Sequence, residues 1–242
     1  MTAFSNTSDL NGILQQARDM MRVDSTQWAT QKVVNSCNNW FDKIVGYALS
    51  IDKNFQWDDT NHTKLPIGTT NLVGAQSDYS FLTDEQGNKI ITLTSISLLE
   101  IATNKETQLP LVDRSESNYS YVNFGVESGT PTSYDKIADN VVKLDKLPSA
   151  ADASKYKLKF YFQRTPSYFV ATDTTKEPGC SPLLHRGFII ASAYDGALTL
   201  GLANLQALGI ELQREEQKMI TYFSDRNNDS VSRMSPSREN CR

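Results

Sequence analysis

Histidine and cysteine are scarce in this sequence of 242 residues, which contains two and three of them respectively. Cys37, Cys180 and Cys241 are far apart and match neither a metal-ligand spacing nor a small disulfide framework, so we expect reduced, isolated thiols. The chain also lacks a phosphate-binding glycine loop and a Gly-x-Ser-x-Gly nucleophile motif. We therefore expect no metal, no cofactor and no catalytic residue.

Strong charge of one sign is lacking too. A net charge of −4 with 21% charged residues excludes a strongly basic nucleic-acid binder and an acidic disordered tail protein. The first residues have neither the basic nor the apolar region of a signal peptide. The one candidate membrane span, residues 187–210, contains Asp195, so a helix buried in protein is the better interpretation. We expect a soluble protein made in a reducing cytoplasm.

Serine, threonine and asparagine are abundant, at 62 of the 242 residues, and helical periodicity is confined to the two ends of the chain. Apolar residues spaced by three and four predict helices over residues 8–22, 25–51, 182–201 and 205–225. Ser8 or Asp9 is the expected N-cap of the first helix, and Asp24 or Ser25 that of the second. The first two helices should pack as a hairpin.

Between the helical ends, residues 54–75 have a loop composition, and from there to about residue 175 the hydrophobic period is two. Tyr156–Gln163 is the clearest strand, with Lys157, Lys159, Tyr161 and Gln163 expected on its solvent face. Asp84–Asn88 is expected to be the loop of a hairpin. The other predicted strands are Tyr79–Leu82, Ile90–Leu99, Tyr119–Phe124, Val141–Leu144 and Tyr168–Ala171, with a loop at residues 147–154.

These patterns predict an α+β fold in which N- and C-terminal helices form a bundle, with an inserted antiparallel β domain and an extended C-terminal arm. The arm has no periodicity and carries several arginines, so on its own it should be disordered. The expected domains are a helical hairpin (1–53), the β domain (54–178), the C-terminal helices packing on the N-terminal ones (179–224) and the arm (225–242).

Two places hold side chains capable of chemistry. The segment Asp58–His62 groups carboxylates with an imidazole but matches neither an EF-hand nor a zinc spacing, which favours a polar loop. His185 lies at the apolar start of a predicted helix, where a packed or surface histidine is expected rather than a catalytic base. A small carbohydrate-active hydrolase using carboxylates such as Asp58, Asp59 and Asp135 stays open as a competing hypothesis.

A series of short motifs extends along most of the chain. They are Trp40-Phe41 in the second helix, Gly129–Tyr134 before Val141–Leu144, Leu147-Pro148 before Tyr156–Phe162, and Pro182–Gly187 at the start of the closing helices. In this order the sequence resembles the head-to-tail adaptor (connector or neck) proteins of tailed bacteriophages. The resemblance implies a structural virion protein at the head–tail junction, and no enzyme.

The resemblance also implies partners. Adaptors of this family form rings, usually dodecamers, that dock below the portal protein, continue its DNA channel and meet a downstream tail, stopper or nozzle protein. Double-stranded DNA passes through without sequence-specific binding, and no membrane is involved. The family's C-terminal helix and tail commonly engage the portal. The matching candidates here are Tyr222, Phe223, Arg226, Arg233, Arg238 and Arg242.

Three properties of the residues agree with this interpretation. A helix that is apolar on most sides suits burial between neighbouring subunits of a ring. An arginine-bearing arm suits ordering against the carboxylates of a partner. A mildly negative chain would let DNA slide, since tight binding needs clustered Lys and Arg. A different neck or tail-completion protein, or a capsid decoration or fibre module, also stays open as a hypothesis.

Overall fold

The computed structural model describes residues 2–51, 67–84, 87–113 and 124–227. These residues form a mixed α+β fold with five α-helices and two antiparallel sheets. They divide into two compact units. The helical unit contains the described residues of 2–51, 170–176 and 182–227, and the β unit contains those of 67–169 and 177–181.

The helical unit confirms the helices predicted at the two ends of the chain. It contains α1 (Ile13–Met21), α2 (Thr30–Ile51), α4 (His185–Leu200) and α5 (Leu205–Asn227), with a 3₁₀ turn at Pro182–Leu184. Proline suits the start of that turn because its fixed φ angle is helical and it has no amide to leave unpaired. Among the described residues, none of the helices is both long enough and apolar enough to cross a membrane.

The first helix starts later than predicted, at Ile13 and not at residue 8. The backbone amides around its predicted and its actual start donate hydrogen bonds to groups outside the helix. The Asn6 side-chain oxygen accepts hydrogen bonds from the amides of Ser8 (3.1 Å) and Asp9 (3.0 Å), which holds these residues in a turn. The amides of Ile13 and Leu14 donate to the carbonyls of residues 3 and 4. The expected caps Ser8 and Asp9 are therefore wrong, and the chain's own N-terminal segment replaces them.

The second helix also starts later than predicted. Oδ1 of Asp24 accepts hydrogen bonds from the amides of Thr26 (2.8 Å) and Gln27 (3.0 Å), so it caps a short turn that precedes α2. The hydroxyl of Thr26 donates to the same oxygen, and these hydrogen bonds lower the pKa of Asp24. The prediction that Asp24 caps backbone amides is thus correct, but the amides belong to the preceding turn, and α2 itself begins only at Thr30.

Helix α4 is the centre of the helical unit, since it lies against α1, α2 and α5. Ten of its sixteen residues are buried. Gly187 lets the Trp40 indole approach the α4 backbone, and Gly196 does the same for the Met21 side chain. Much of the apolar surface of this helix is therefore covered by its own chain, although Leu198 and Leu200 near its end are exposed.

The β unit contains seven strands and one helix in its described part. The strands are β1 (Ile67–Asn71), β2 (Asp78–Ser80), β3 (Ile90–Glu100), β4 (Glu106–Leu109), β5 (Tyr134–Ala138), β6 (Val141–Leu144) and β7 (Tyr156–Arg164), and the helix is α3 (Ala150–Lys155). One sheet has the order β1-β7-β3-β4 and the other β2-β6-β5, and all pairs are antiparallel. Buried residues from both sheets make one hydrophobic core.

Strand β7 shows how the sequence builds this core. Leu158, Phe160 and Phe162 are buried, as the alternation predicts. The ring centroids of Phe160 and Phe81 lie 4.2 Å apart. The Phe160 ring also covers Gly68, its register partner in β1, and it fits there because glycine has no Cβ. Gln163 was expected in solvent but is only 5% exposed.

One loop prediction is confirmed in part and two others are wrong. Asp84 and Asn88 close a loop as expected, since the Asp84 amide donates to the Asn88 carbonyl and Thr83 and Lys89 form an antiparallel bridge beside it. The predicted strands beyond this bridge do not pair with each other: β2 pairs with β6, and β3 pairs with β7 and β4, so the loop joins two sheets. Residues 150–155 are helical because Ser149 and Asp152 form a capping box, whose hydrogen bonds also lower the pKa of Asp152. Residues 168–171 form no strand; instead Val170 and Asp173 close a turn. The predicted strand at 119–124 falls largely outside the described residues.

Candidate partner-binding site

Helix α5 and the 3₁₀ turn before α4 border an open groove of about 470 Å³, which we call the Leu183 groove. Its lining residues are Leu183, Leu184, Arg214, Gln217, Lys218, Thr221 and Tyr222. The five that belong to α5 follow one another at spacings of three, one, three and one, which places them along a single stripe of the helix. The groove therefore extends along the middle of α5, from Arg214 to Tyr222.

The two leucines of the 3₁₀ turn have opposite environments. Leu184 is 4% exposed and anchors the turn in the core, whereas Leu183 is 60% exposed and presents its side chain at the groove. Tyr222, the groove's aromatic residue on α5, is partly exposed. In the described part of the chain, the groove thus has an exposed apolar surface, held in place by a turn with one buried anchor.

The cations of the groove belong to a network between α4 and α5. Arg214 pairs with Glu211, and Lys218 Nζ lies 3.5 Å from Glu215 Oε2. Arg186 approaches both glutamates, at 3.3 Å and 3.7 Å. These contacts give Glu215, which is only 8% exposed, two cationic partners. The network holds three cations and two carboxylates, so it is positive overall.

The predicted interface residues separate into three groups. Tyr222 lines the groove, and its ring meets that of Phe223 edge to face, with centroids 5.2 Å apart. Phe223 itself is 2% exposed, so it is a core residue of the helical unit and not a surface contact, which corrects that assignment. Arg226 belongs to α5, whose helix continues through Asn227, so the first three residues of the predicted arm are helical. Arg233, Arg238 and Arg242 lie outside the described residues.

The residues considered for catalysis are not brought together in the described part of the chain. His185 is 3% exposed, and its Nδ1 accepts a hydrogen bond from the Thr2 amide at 3.4 Å, so it is a packed histidine. Asp58, Asp59 and the rest of the segment up to His62 lie outside the described residues, and Asp135 is paired in register with Lys143. No group of three or more potential metal ligands is found among the described residues.

The described cysteines are not reactive groups. Cys37 and Cys180 are both buried thiols that enter no disulfide within the described residues, as expected. Burial raises the pKa of Cys180 to about 12 and raises that of Cys37 as well. Because the thiolate is the nucleophilic form, both side chains remain protonated and inert near neutral pH.

Sequence reasoning missed Leu183, Arg214 and Lys218. The spacing of Arg214, Lys218 and Tyr222 by four residues was a readable signal, since such residues share one face of a helix. The exposure of Leu183 could not be predicted, because the sequence does not show which of two adjacent leucines at the start of a helix is buried. No model of a known protein family matches this chain, and no curated protein matches its sequence.

Proposed function

We propose that this chain is a head-to-tail adaptor of a tailed bacteriophage. In the virion it forms a ring, most simply a dodecamer, between the portal protein and a downstream tail, stopper or nozzle protein, and it continues the DNA channel. The observation that carries the proposal is the open groove at Tyr222. It lies on the C-terminal helix, which in the adaptors that the sequence resembles commonly engages the portal.

The proposal includes a specific arrangement of the chain. The N- and C-terminal helices form a bundle, the β unit is inserted between α2 and α4, and residues 228–242 extend as an arm. Two observations support it: the helical unit contains residues from both ends of the chain, and α4 lies against α1, α2 and α5. The net charge of −4 suits a channel wall past which DNA slides without tight binding.

Co-purification with the portal protein of the same phage tests the partner assignment. The full-length chain should bind the portal, and a chain truncated after Asn227 should keep its circular dichroism spectrum but lose binding. Residues 225–227 stay in this variant because they belong to α5. Tyr222→Ala should weaken binding about tenfold or more, as truncation of an aromatic interface residue commonly does.

Leu198→Ala is the matched control, since Leu198 is also exposed but lies outside the Leu183 groove. It should bind the portal like the unmodified chain. If the full-length chain does not bind the portal, the adaptor proposal is wrong. If binding survives both the truncation and the Tyr222 substitution, the contact lies elsewhere and the assignment of the C-terminal region is wrong.

A further inference from the structure

We propose that the Leu183 groove binds an acidic, hydrophobic segment of another protein. One bulky apolar side chain of that segment packs on Leu183 and Tyr222, and carboxylates beside it pair with Arg214 and Lys218. This inference relies on the proposed function only for the partner's identity, which would then be the portal protein. The chemistry of recognition follows from the groove alone.

The apolar half of the recognition comes from two side chains that line the groove, one from the 3₁₀ turn and one from α5. Leu183 is 60% exposed although the neighbouring Leu184 is fully packed. Tyr222 supplies a partly exposed ring with a hydroxyl at its edge. A volume of about 470 Å³ is sufficient for more than one side chain of a partner. Burial of this apolar surface is the driving force for docking.

The ionic half comes from Arg214 and Lys218, which stand four residues apart and hence about 6 Å apart along the helix axis. Their side chains are 70% and 47% exposed. Arg214 uses part of its five-donor guanidinium on Glu211 and keeps donors for another carboxylate. Among the described residues, no carboxylate lines the groove itself. Two acidic residues spaced by three or four on a partner helix would meet both cations.

Charge also argues against other occupants. Residues 228–242 of this chain carry three arginines against Asp229 and Glu239, so they do not complement a positive rim. Nucleic acid would meet only Arg214 and Lys218 among the lining residues of the groove, and tight phosphate binding needs more clustered cations than these two. An acidic segment with an apolar anchor satisfies both halves of the groove.

A library of short random peptides displayed on yeast tests the inference. The library is first depleted on immobilised Leu183→Asp protein and then selected on the unmodified full-length chain. We expect the enriched peptides to share a leucine, phenylalanine or similar residue with two acidic residues within four positions of it. Their affinity, measured by fluorescence anisotropy, should fall about tenfold or more for Leu183→Asp and for the double variant Arg214→Glu/Lys218→Glu.

Leu198→Asp is the matched control, because it adds the same charge at a leucine that is 57% exposed. Leu198 does not line the groove. It should bind the selected peptides like the unmodified chain, and circular dichroism should show that all variants are folded. Enrichment of basic or purely polar peptides, no enrichment, or equal binding to Leu183→Asp would overturn the inference.

The two proposals fail separately. Suppose that acidic, hydrophobic peptides bind the groove but the chain does not bind the portal. The proposed groove chemistry is then supported, and the adaptor function is wrong. Suppose instead that the chain binds the portal but the groove selects no such peptide. The adaptor function is then supported, and the proposed recognition chemistry is wrong.

Discussion

Two glycines in the helices of the helical unit have opposite roles. A Cβ on Gly187 would lie 2.7–2.8 Å from atoms of the Trp40 indole, which is 5% exposed and therefore has little room to move. A Cβ on Gly46 would meet nothing within 4 Å. Gly187 is thus required for the approach of α2 to α4, and Gly46 is required by no contact in the described structure.

Substitution of each glycine by alanine measures this difference. Gly187→Ala should lower the free energy of unfolding by about 1–3 kcal/mol, because the indole must shift in a packed core. Gly46→Ala should raise it by about 0.5–1 kcal/mol, since alanine is the better helix former. Urea denaturation measures both. Equal effects of the two substitutions would contradict the packing of Trp40 on α4.

The same contrast shows what the sequence could and could not tell at this scale. Periodicity placed Tyr222 and Phe223 on the C-terminal helix, but it did not show that one lines a groove while the other is buried. Which face of a helix is covered depends on neighbours distant in the chain. Here Leu183 and Leu184 border the groove from nearly 40 residues upstream.

Among the elements, the turn between the two sheets depends on a buried ion pair. Arg164 Nη1, at the end of β7, lies 3.1 Å from Asp84 Oδ2, and both side chains are 9% exposed. Asp84 also accepts hydrogen bonds from the backbone and side-chain amides of Asn88, at 2.7 Å and 3.1 Å. The Asp84 carboxylate therefore closes the turn and also connects it to the end of β7, in the four-stranded sheet that contains β3.

Asp84→Ala should destabilise the fold by about 3–5 kcal/mol, because the variant leaves the buried guanidinium without this carboxylate. Glu100→Ala is the control: its partner Lys155 is 55% exposed, and such a surface pair contributes about 0–1 kcal/mol. Chemical denaturation of both variants gives the comparison. Similar losses for the two would show that the Asp84 pair does not hold the turn.

The hairpin prediction is correct at the loop itself but not for the strands beyond it. Local sequence specified the closure between Asp84 and Asn88 and the antiparallel bridge beside it, but not the partners of β2 and β3, because pairing partners are chosen by burial of distant faces. Strand β7 was predictable because its alternation is long and regular. The helix at 150–155 was also readable, since its capping box is present in the sequence as Ser149 and Asp152.

At the scale of the whole molecule, both ends of the chain build one helical unit, and α4 is covered by its own neighbours. Neither composition nor periodicity identifies the surfaces that would close the proposed ring. The α+β class and the helical ends were predictable, because they depend on local hydrophobic periods. The proposed adaptor function depends on partners, and the sequence suggests it only through a resemblance.

Under the proposed function, virions of the phage that encodes this chain contain it, so cryo-electron microscopy of those virions is the most direct test. We expect a closed ring of the chain at the head–tail vertex, in contact with the portal on one side and the tail on the other. Particles that lack the chain, or that carry it elsewhere on the capsid surface as a decoration protein would be, would contradict the adaptor function.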